Sequence, residues 1–302
     1  MAKSIKKRQK KMLLQITNNC DNNCPHCLQA CVGSKHNEHM SRGVFLNSLT
    51  LSRKLGVNIL IISGGEPTLH PEWAKWVREA LKSVLHVGIA TNGNWLIPET
   101  PSPIVETIVD LIRGNKDRVS VQICNDPKWY PNHESVTAGY KRFTERFPDA
   151  AKSTIFVTKV EHMRSLGRAA SNPDCLEVAK QDKASTTSCA AGALVAAQTD
   201  FRTAVGALEA RGNLCRPAVD WEGGIHWSES RLCPAFFKLP SHLALDDAMF
   251  DQIAEDAHAW RPCGKCVDYK KFINNNYPKY VIAKAILGIQ DVEAACAGIQ
   301  GG

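Results

Sequence analysis

Short apolar runs and longer amphipathic stretches alternate through the first half of the chain. Residues 12–17 read as a first strand. Residues 42–55 carry Val44, Phe45, Leu49, Leu51 and Leu55 near helical spacing, and Gly56 supplies a stop. Residues 57–63 form a continuous apolar run bounded by glycines, the pattern of a strand buried on both faces. Residues 72–84 gather Trp73, Trp76, Val77, Ala80 and Leu81 on one side of a helix, with charges opposite. The alternation continues with strands at 86–91, 118–124 and 153–159 and helices at 103–113 and 134–147. Strand followed by helix, repeated, implies right-handed crossovers and a parallel sheet, so the fold class is α/β. Such sheets place their sites beyond the carboxyl ends of the strands.

The second half reads differently. Residues 184–208 are rich in Ala, Thr and Ser, and a sixth strand is expected near 194–198. Beyond residue 212, Val219-Asp220-Trp221-Glu222-Gly223-Gly224-Ile225-His226-Trp227 has the grammar of a β-hairpin turning at Gly-Gly. Three segments are expected: a tail over 1–11, a core over 12–212 and a smaller unit over 213–302 ending in a helix.

Charge sharpens this division. The net charge is +7, and Lys3, Lys6, Lys7, Arg8, Lys10 and Lys11 supply six of those charges within the first eleven residues. The body is nearly neutral, which argues against an extended nucleic-acid face, and the tail reads as a solvated terminus. No stretch approaches the roughly 20 apolar residues of a membrane span, so a soluble, cytoplasmic protein is expected. Twelve cysteines in such a chain read as metal ligands rather than disulfides.

Three of them are tightly spaced. Cys20, Cys24 and Cys27 form C-x-x-x-C-x-x-C directly after the first strand. Soft thiolates select iron–sulfur clusters or zinc, and a four-iron cluster held by only three of them keeps one iron open for a ligand. Gly64-Gly65-Glu66-Pro67 follows the second strand, and Ala90-Thr91-Asn92-Gly93 closes the third. These three motifs, in this order and each at a strand end, resemble the signature of the radical S-adenosylmethionine (radical SAM) superfamily.

The resemblance implies a partial (β/α)6 TIM-like barrel and a [4Fe-4S] cluster on Cys20, Cys24 and Cys27 whose open iron chelates S-adenosylmethionine. It implies reductive cleavage of that cofactor to a 5′-deoxyadenosyl radical, which abstracts a hydrogen atom from substrate. Cofactor contacts are expected from His26, stacking beside the adenine, and from Gly64, Gly65, Glu66 and Pro67, with Glu66 accepting from the cofactor's amino group. Thr91, Asn92 and Asn125 are further cofactor candidates. Asp126, His133, His162 and Glu177 are candidates for a general base.

A second constellation lies in the C-terminal unit. Cys215, Cys233 and the C-x-x-C pair Cys263 and Cys266 supply four thiolates, a complete shell for a second, auxiliary [4Fe-4S] cluster. With the hairpin between them they resemble the twitch/SPASM extension of radical SAM enzymes; a four-cysteine zinc site is the alternative. Cys31, Cys124, Cys175, Cys189 and Cys296 read as small buried hydrophobes, with contact to the site as the alternative for Cys31, which follows Cys27 closely, and Cys124, near the barrel mouth. A saturated second cluster suits electron transfer. The expected reaction is therefore oxidation or bond formation on a small polar molecule or a peptide, with flavodoxin or ferredoxin as reductant. Peptide modification of the kind that matures ribosomally made peptides is the near alternative, and a non-catalytic zinc or nucleic-acid-binding protein the distant one. With the first strand near residue 12, no peptide-recognition domain is expected ahead of the core.

Overall fold

The computed structural model describes residues 10–33, 38–160, 167–181, 202, 205, 217–227 and 235–259. Most of the tail, the segment 194–198, and His162, Cys189, Cys215, Cys233, Cys263, Cys266 and Cys296 lie outside the described residues.

Five strands anticipated from the apolar runs form one parallel array. They are β1 (Lys11–Gln15), β4 (Ile59–Ser63), β5 (His86–Thr91), β6 (Val119–Cys124) and β7 (Thr154–Val157), paired in that order. Between β1 and β4 lie two short strands, β2 (Asn19–Cys20) and β3 (Val32–Gly33), which pair with each other. A sixth parallel strand sits on the opposite flank of β1. It is β8 (Ala218–Val219), in register with Leu13 and Leu14, and it continues antiparallel into β9 (Gly224–His226) and β10 (Phe237–Lys238). The expected hairpin therefore exists, but it is hydrogen-bonded into the core's own sheet. The sheet is open and mixed, as a partial barrel with an added hairpin requires.

Helices α1 (Arg42–Leu55), α2 (Trp73–Ala80), α3 (Pro103–Gly114) and α4 (His133–Arg146) make the crossovers. Local chemistry sets their ends. Ser41 caps α1, its hydroxyl accepting from the Val44 N–H, and Gly56 closes it at φ 67°. Helix α2 is shorter than its apolar pattern. Beyond it the chain continues in turns whose carbonyls the Arg118 guanidinium takes, donating to Leu81 and Val84 and, through Nε, to Leu85. A short helix α5 (Pro148–Ala151) precedes β7, and α6 (Pro173–Gln181) and α7 (Asp247–Ala259) follow later. Among the described residues no helix is long and apolar enough to cross a membrane.

The two faces of the sheet differ, contrary to the expectation for 57–63. Leu60 and Ile62 of β4 are fully buried against helices, while Ile61 and Ser63 are half-buried and line a cavity. The alternation repeats in β5 and β6, where Val87, Ile89, Val121 and Ile123 pack under the helices and Ala90 and Gln122 face the cavity. A strand in an open barrel has only one dry face, because its inner side must leave room for ligand. On the dry side, Phe45 of α1 stacks on Trp76 of α2 at 4.3 Å between ring centroids, and both are buried.

Helix α4 sits against the turn after β5 through Gly139, where an added Cβ would lie 2.2 Å from the Leu96 carbonyl oxygen. Gly139→Ala would gain roughly 1 kcal/mol of helix propensity, but the backbone overlap outweighs it. Net destabilisation of about 1–3 kcal/mol is expected. Urea unfolding checks this; a variant as stable as the parent would show that α4 shifts freely on the turn.

Candidate active site

The cysteine loop leaves the sheet immediately after β1 and is closed at its base by β2 and β3, where Asn19 pairs with Val32 and Cys20 with Gly33. Inside it, the Cys27 N–H donates to the Cys24 carbonyl at 3.2 Å, and the Ala30 N–H to the Cys27 carbonyl. The thiols of Cys20, Cys24 and Cys27 all border one cavity of about 690 Å³.

The root of this loop interlocks with the diglycine turn after β4. The Gly65 N–H donates to the Thr17 carbonyl and the Glu66 N–H to the Asn19 carbonyl, both at 2.8 Å. The approach excludes side chains: a Cβ on Gly64 would lie 2.4 Å from the Thr17 oxygen, and one on Gly65 would lie 2.2 Å from the Asn19 oxygen. Gly64 also holds φ at 155°, which other residues rarely adopt.

Glu66 sits among a dense set of protein donors. Its carboxylate is buried and turned away from the cavity, tying the end of β4 to the end of β5. The Thr68 N–H and hydroxyl donate to Oε1, the Thr91 hydroxyl reaches both oxygens at 2.9 Å, and the Asn92 N–H donates to Oε2 at 2.8 Å. Thr91 has no freedom to turn its hydrogen elsewhere, because its oxygen already accepts from the Gly93 N–H and the Trp95 indole. With these donors gathered on it, Glu66 fixes the ends of β4 and β5 relative to one another. It builds the edge of the site from behind.

The remaining candidates divide by position. Gly64, Gly65, Thr91, Asn92, Asn125 and His26 all border the cavity. Pro67 is buried in a short turn of 3-10 helix behind it. His26 lies 5.0 Å from the Tyr130 ring and 6.0 Å from Trp129, an aromatic wall on one side of the thiols, and burial lowers its pKa. Asn125 donates to the His133 carbonyl and the Thr137 hydroxyl, which leaves its buried Oδ1 without a partner among the described residues. Asn92 donates to Asp21 at 2.6 Å, and Asn94 and Asn132 both donate to Asn22, so the loop after β5 and the start of α4 strap the cysteine loop in place. Of the described base candidates only Asp126 borders the cavity, and its two oxygens accept from the Lys128 and Val160 N–H groups. His133 and Glu177 do not reach it.

Two cysteines are not the inert hydrophobes expected. Cys31 is buried, but its thiol donates to the Cys27 sulfur. That bond holds the Cys27 pKa down to about 5 and drives that of Cys31 up. Cys124 borders the cavity and accepts from the Gln122 amide. The C-x-x-x-C spacing of Cys27 and Cys31 was the available signal. Cys175 does pack as expected, against Trp129 and Ala169.

Burial pushes the Cys20 and Cys24 thiols up to about 12. Among the described residues no three His, Cys, Asp or Glu side chains converge on a point the size of one metal ion. Three soft donors on one loop bordering one cavity have the ligand chemistry an iron–sulfur cluster needs.

The comparisons agree with this geometry. The model of the radical SAM superfamily matches residues 14–169. Over 110 residues the chain is 33% identical to the tungsten-containing aldehyde ferredoxin oxidoreductase cofactor-modifying protein of Pyrococcus furiosus, a match covering 36% of this chain and 31% of that protein. It is 28% identical over 102 residues to the PqqA peptide cyclase of Streptomyces rochei, covering 34% and 28% respectively. The match thus spans less than a third of the length of either relative. Among solved structures, BtrN in complex with AdoMet and 2-DOIA superposes with a TM-score of 0.50 at 12% identity, over 90% of this chain and 89% of that one.

The buried Glu66 gives a pH-dependent test. Burial, opposed by its hydrogen-bond donors, raises its pKa from 4.5 to about 7. The folded protein therefore keeps a proton that the unfolded chain has lost between those values, and stability falls as pH rises through that window. Relative to Glu66→Gln, the unfolding free energy of the parent should drop by roughly 3 kcal/mol from pH ~4.5 to pH ~7. A pH-independent difference in urea midpoints would show that the carboxylate is ionised throughout.

Proposed function

The chain belongs to the radical SAM superfamily, and on that premise we propose that it is an enzyme that cleaves S-adenosylmethionine reductively and abstracts hydrogen from a small polar substrate. The observation that carries the reading is the placement of three thiols, a diglycine cradle and an aromatic wall on one cavity at the carboxyl edge of a parallel sheet. Family membership implies a [4Fe-4S] cluster and S-adenosylmethionine, which when bound supply one-electron reduction of a sulfonium and a carbon-centred radical.

The protein's own part is to bind, orient and exclude. Cys20, Cys24 and Cys27 hold the cluster. Gly64 and Gly65 let their turn pack directly on the root of the cysteine loop, so that both border the cavity beside the thiols. His26 and Tyr130 offer ring faces to a purine, and the free Oδ1 of Asn125 offers an acceptor to a hydroxyl. Thr91 and Asn92 are held rigid by Glu66, so the cavity edge is preorganised.

Cys215, Cys233, Cys263 and Cys266 hold an auxiliary cluster in this proposal, within a unit spanning about 213–302. Bound there, such a cluster would supply a one-electron acceptor, which suits a net oxidation or a bond formation. Flavodoxin or ferredoxin is the proposed reductant, in the cytoplasm. Peptide modification is the second reading, favoured by the similarity to a peptide cyclase.

Anaerobically purified protein should hold about eight irons per chain and form 5′-deoxyadenosine under a strong reductant. Replacing Cys20, Cys24 and Cys27 together by Ala should leave about four irons and abolish that product. Replacing Cys215, Cys233, Cys263 and Cys266 should also leave about four irons but retain cofactor cleavage. Stoichiometric zinc in place of iron, or cleavage that survives the first triple substitution, would overturn the reading.

A further inference from the structure

Arg168 reaches the cysteine loop across more than 130 residues of sequence and makes three bonds to it. Its backbone N–H donates to the Cys27 carbonyl at 2.9 Å, its Nε to the Cys24 carbonyl at 2.9 Å, and its Nη1 to the Cys31 carbonyl at 2.7 Å. One residue thus ties three carbonyls of the loop that presents the thiols. The approach depends on the residue before it. Gly167 has φ 52°, and a Cβ there would lie 2.4 Å from both the Cys27 and Leu28 carbonyl oxygens. The segment is anchored from behind by Ala169, fully buried against Trp129 and Cys175.

The charge on this side chain is unbalanced. Among the described residues no carboxylate pairs with Arg168, and its Nη2 is buried without a hydrogen-bond partner. Carbonyl dipoles satisfy part of the fork but do not neutralise the cation, and a half-buried guanidinium with one nitrogen shielded from water is stabilised by an anion nearby. The groups that surround it are cysteines, and Arg168 itself borders the cavity they share. Three thiolates on a four-iron cluster give a net anion, and one more electron makes it more negative.

We propose that Arg168 is a positioning residue for the cluster-binding loop, fixing its turn through the Cys24, Cys27 and Cys31 carbonyls, and that its charge is balanced by the cluster and raises the cluster's reduction potential. This rests on the cluster assignment proposed above. A fixed cation favours the more negative, reduced state, so its removal makes reduction harder.

Two variants of the full chain separate fork from charge. Arg168→Met removes both, and Arg168→Lys keeps the charge without the planar fork. Each is reconstituted anaerobically beside the parent. Iron release to a chelator and the midpoint potential of the cluster whose EPR signal responds to S-adenosylmethionine are then measured. Both variants should release iron about tenfold faster, and Arg168→Met should show a midpoint more negative than the parent, with Arg168→Lys close to it. Parent-like release in both variants overturns the clamp, and a parent-like midpoint in Arg168→Met overturns the electrostatic part. If Arg168→Met retains no cluster, Arg168→Lys alone decides: parent-like release overturns the clamp, and a shifted midpoint overturns the charge argument. A parent protein without an S-adenosylmethionine-responsive signal would instead defeat the functional reading itself, and this proposal with it.

Discussion

Two backbone hydrogen bonds organise the site: Gly65 N–H to Thr17 and Glu66 N–H to Asn19. They join the turn that starts the cysteine loop to the turn that ends the next strand, at a separation no side chain tolerates. The constraint propagates outward. Because the two turns touch, Cys20 and the diglycine turn border the same cavity. Because the Glu66 backbone is held there, its side chain projects into the protein and gathers Thr68, Thr91 and Asn92, which brings the third strand end into the same rigid unit. Three motifs that lie far apart in sequence become one edge through a few hydrogen bonds.

The sheet beneath supplies the second condition. Its helix-facing side is dry and closely packed, with Leu60, Ile62, Val87 and Ile89 all but fully buried. Its inner side is lined at several positions by small or polar residues, Ser63, Ala90 and Gln122 among them, so it encloses space instead of core. A one-sided core of this kind loses some burial on the inner face. The paired carboxyl edge, the Asn22–Asn94–Asn132 contacts and the Arg168 clamp compensate by crosslinking loops that would otherwise be the least stable parts of the molecule.

Much of this was legible beforehand where the signal was local. Alternation of apolar runs with amphipathic stretches placed five strands and four helices, and Gly56 marked the end of α1 as expected. The cysteine, diglycine and Thr-Asn-Gly motifs do converge, because parallel topology alone puts strand ends on one edge. The failures were of another kind. Residues 57–63 looked doubly buried because Ile59 and Ile61 are apolar, yet apolarity does not reveal which face a cavity occupies. For Cys31 and Cys124 the spacing and the strand end leave a place at the site open beside burial as a small hydrophobe, and only the fold shows one thiol touching another and the other bordering the cavity. The partners of the Glu66 carboxylate are likewise invisible locally, because they include donors 25 and 26 residues away.

The sequence by itself determined the class of chemistry and the parallel order of β1, β4, β5, β6 and β7, since ligand softness, motif spacing and hydrophobic period are properties of neighbouring residues. Tertiary structure alone decided that, among the described residues, Ala218–Val219 pairs parallel beside β1, that the Glu66 carboxylate gathers Thr68, Thr91 and Asn92, and that Gly167 and Arg168 close on the cysteine loop. Each of those is a contact between segments whose local patterns carry no trace of one another. Their energies arise only when the folded chain brings a carbonyl, a glycine or an unpaired cation within a few ångströms of its partner.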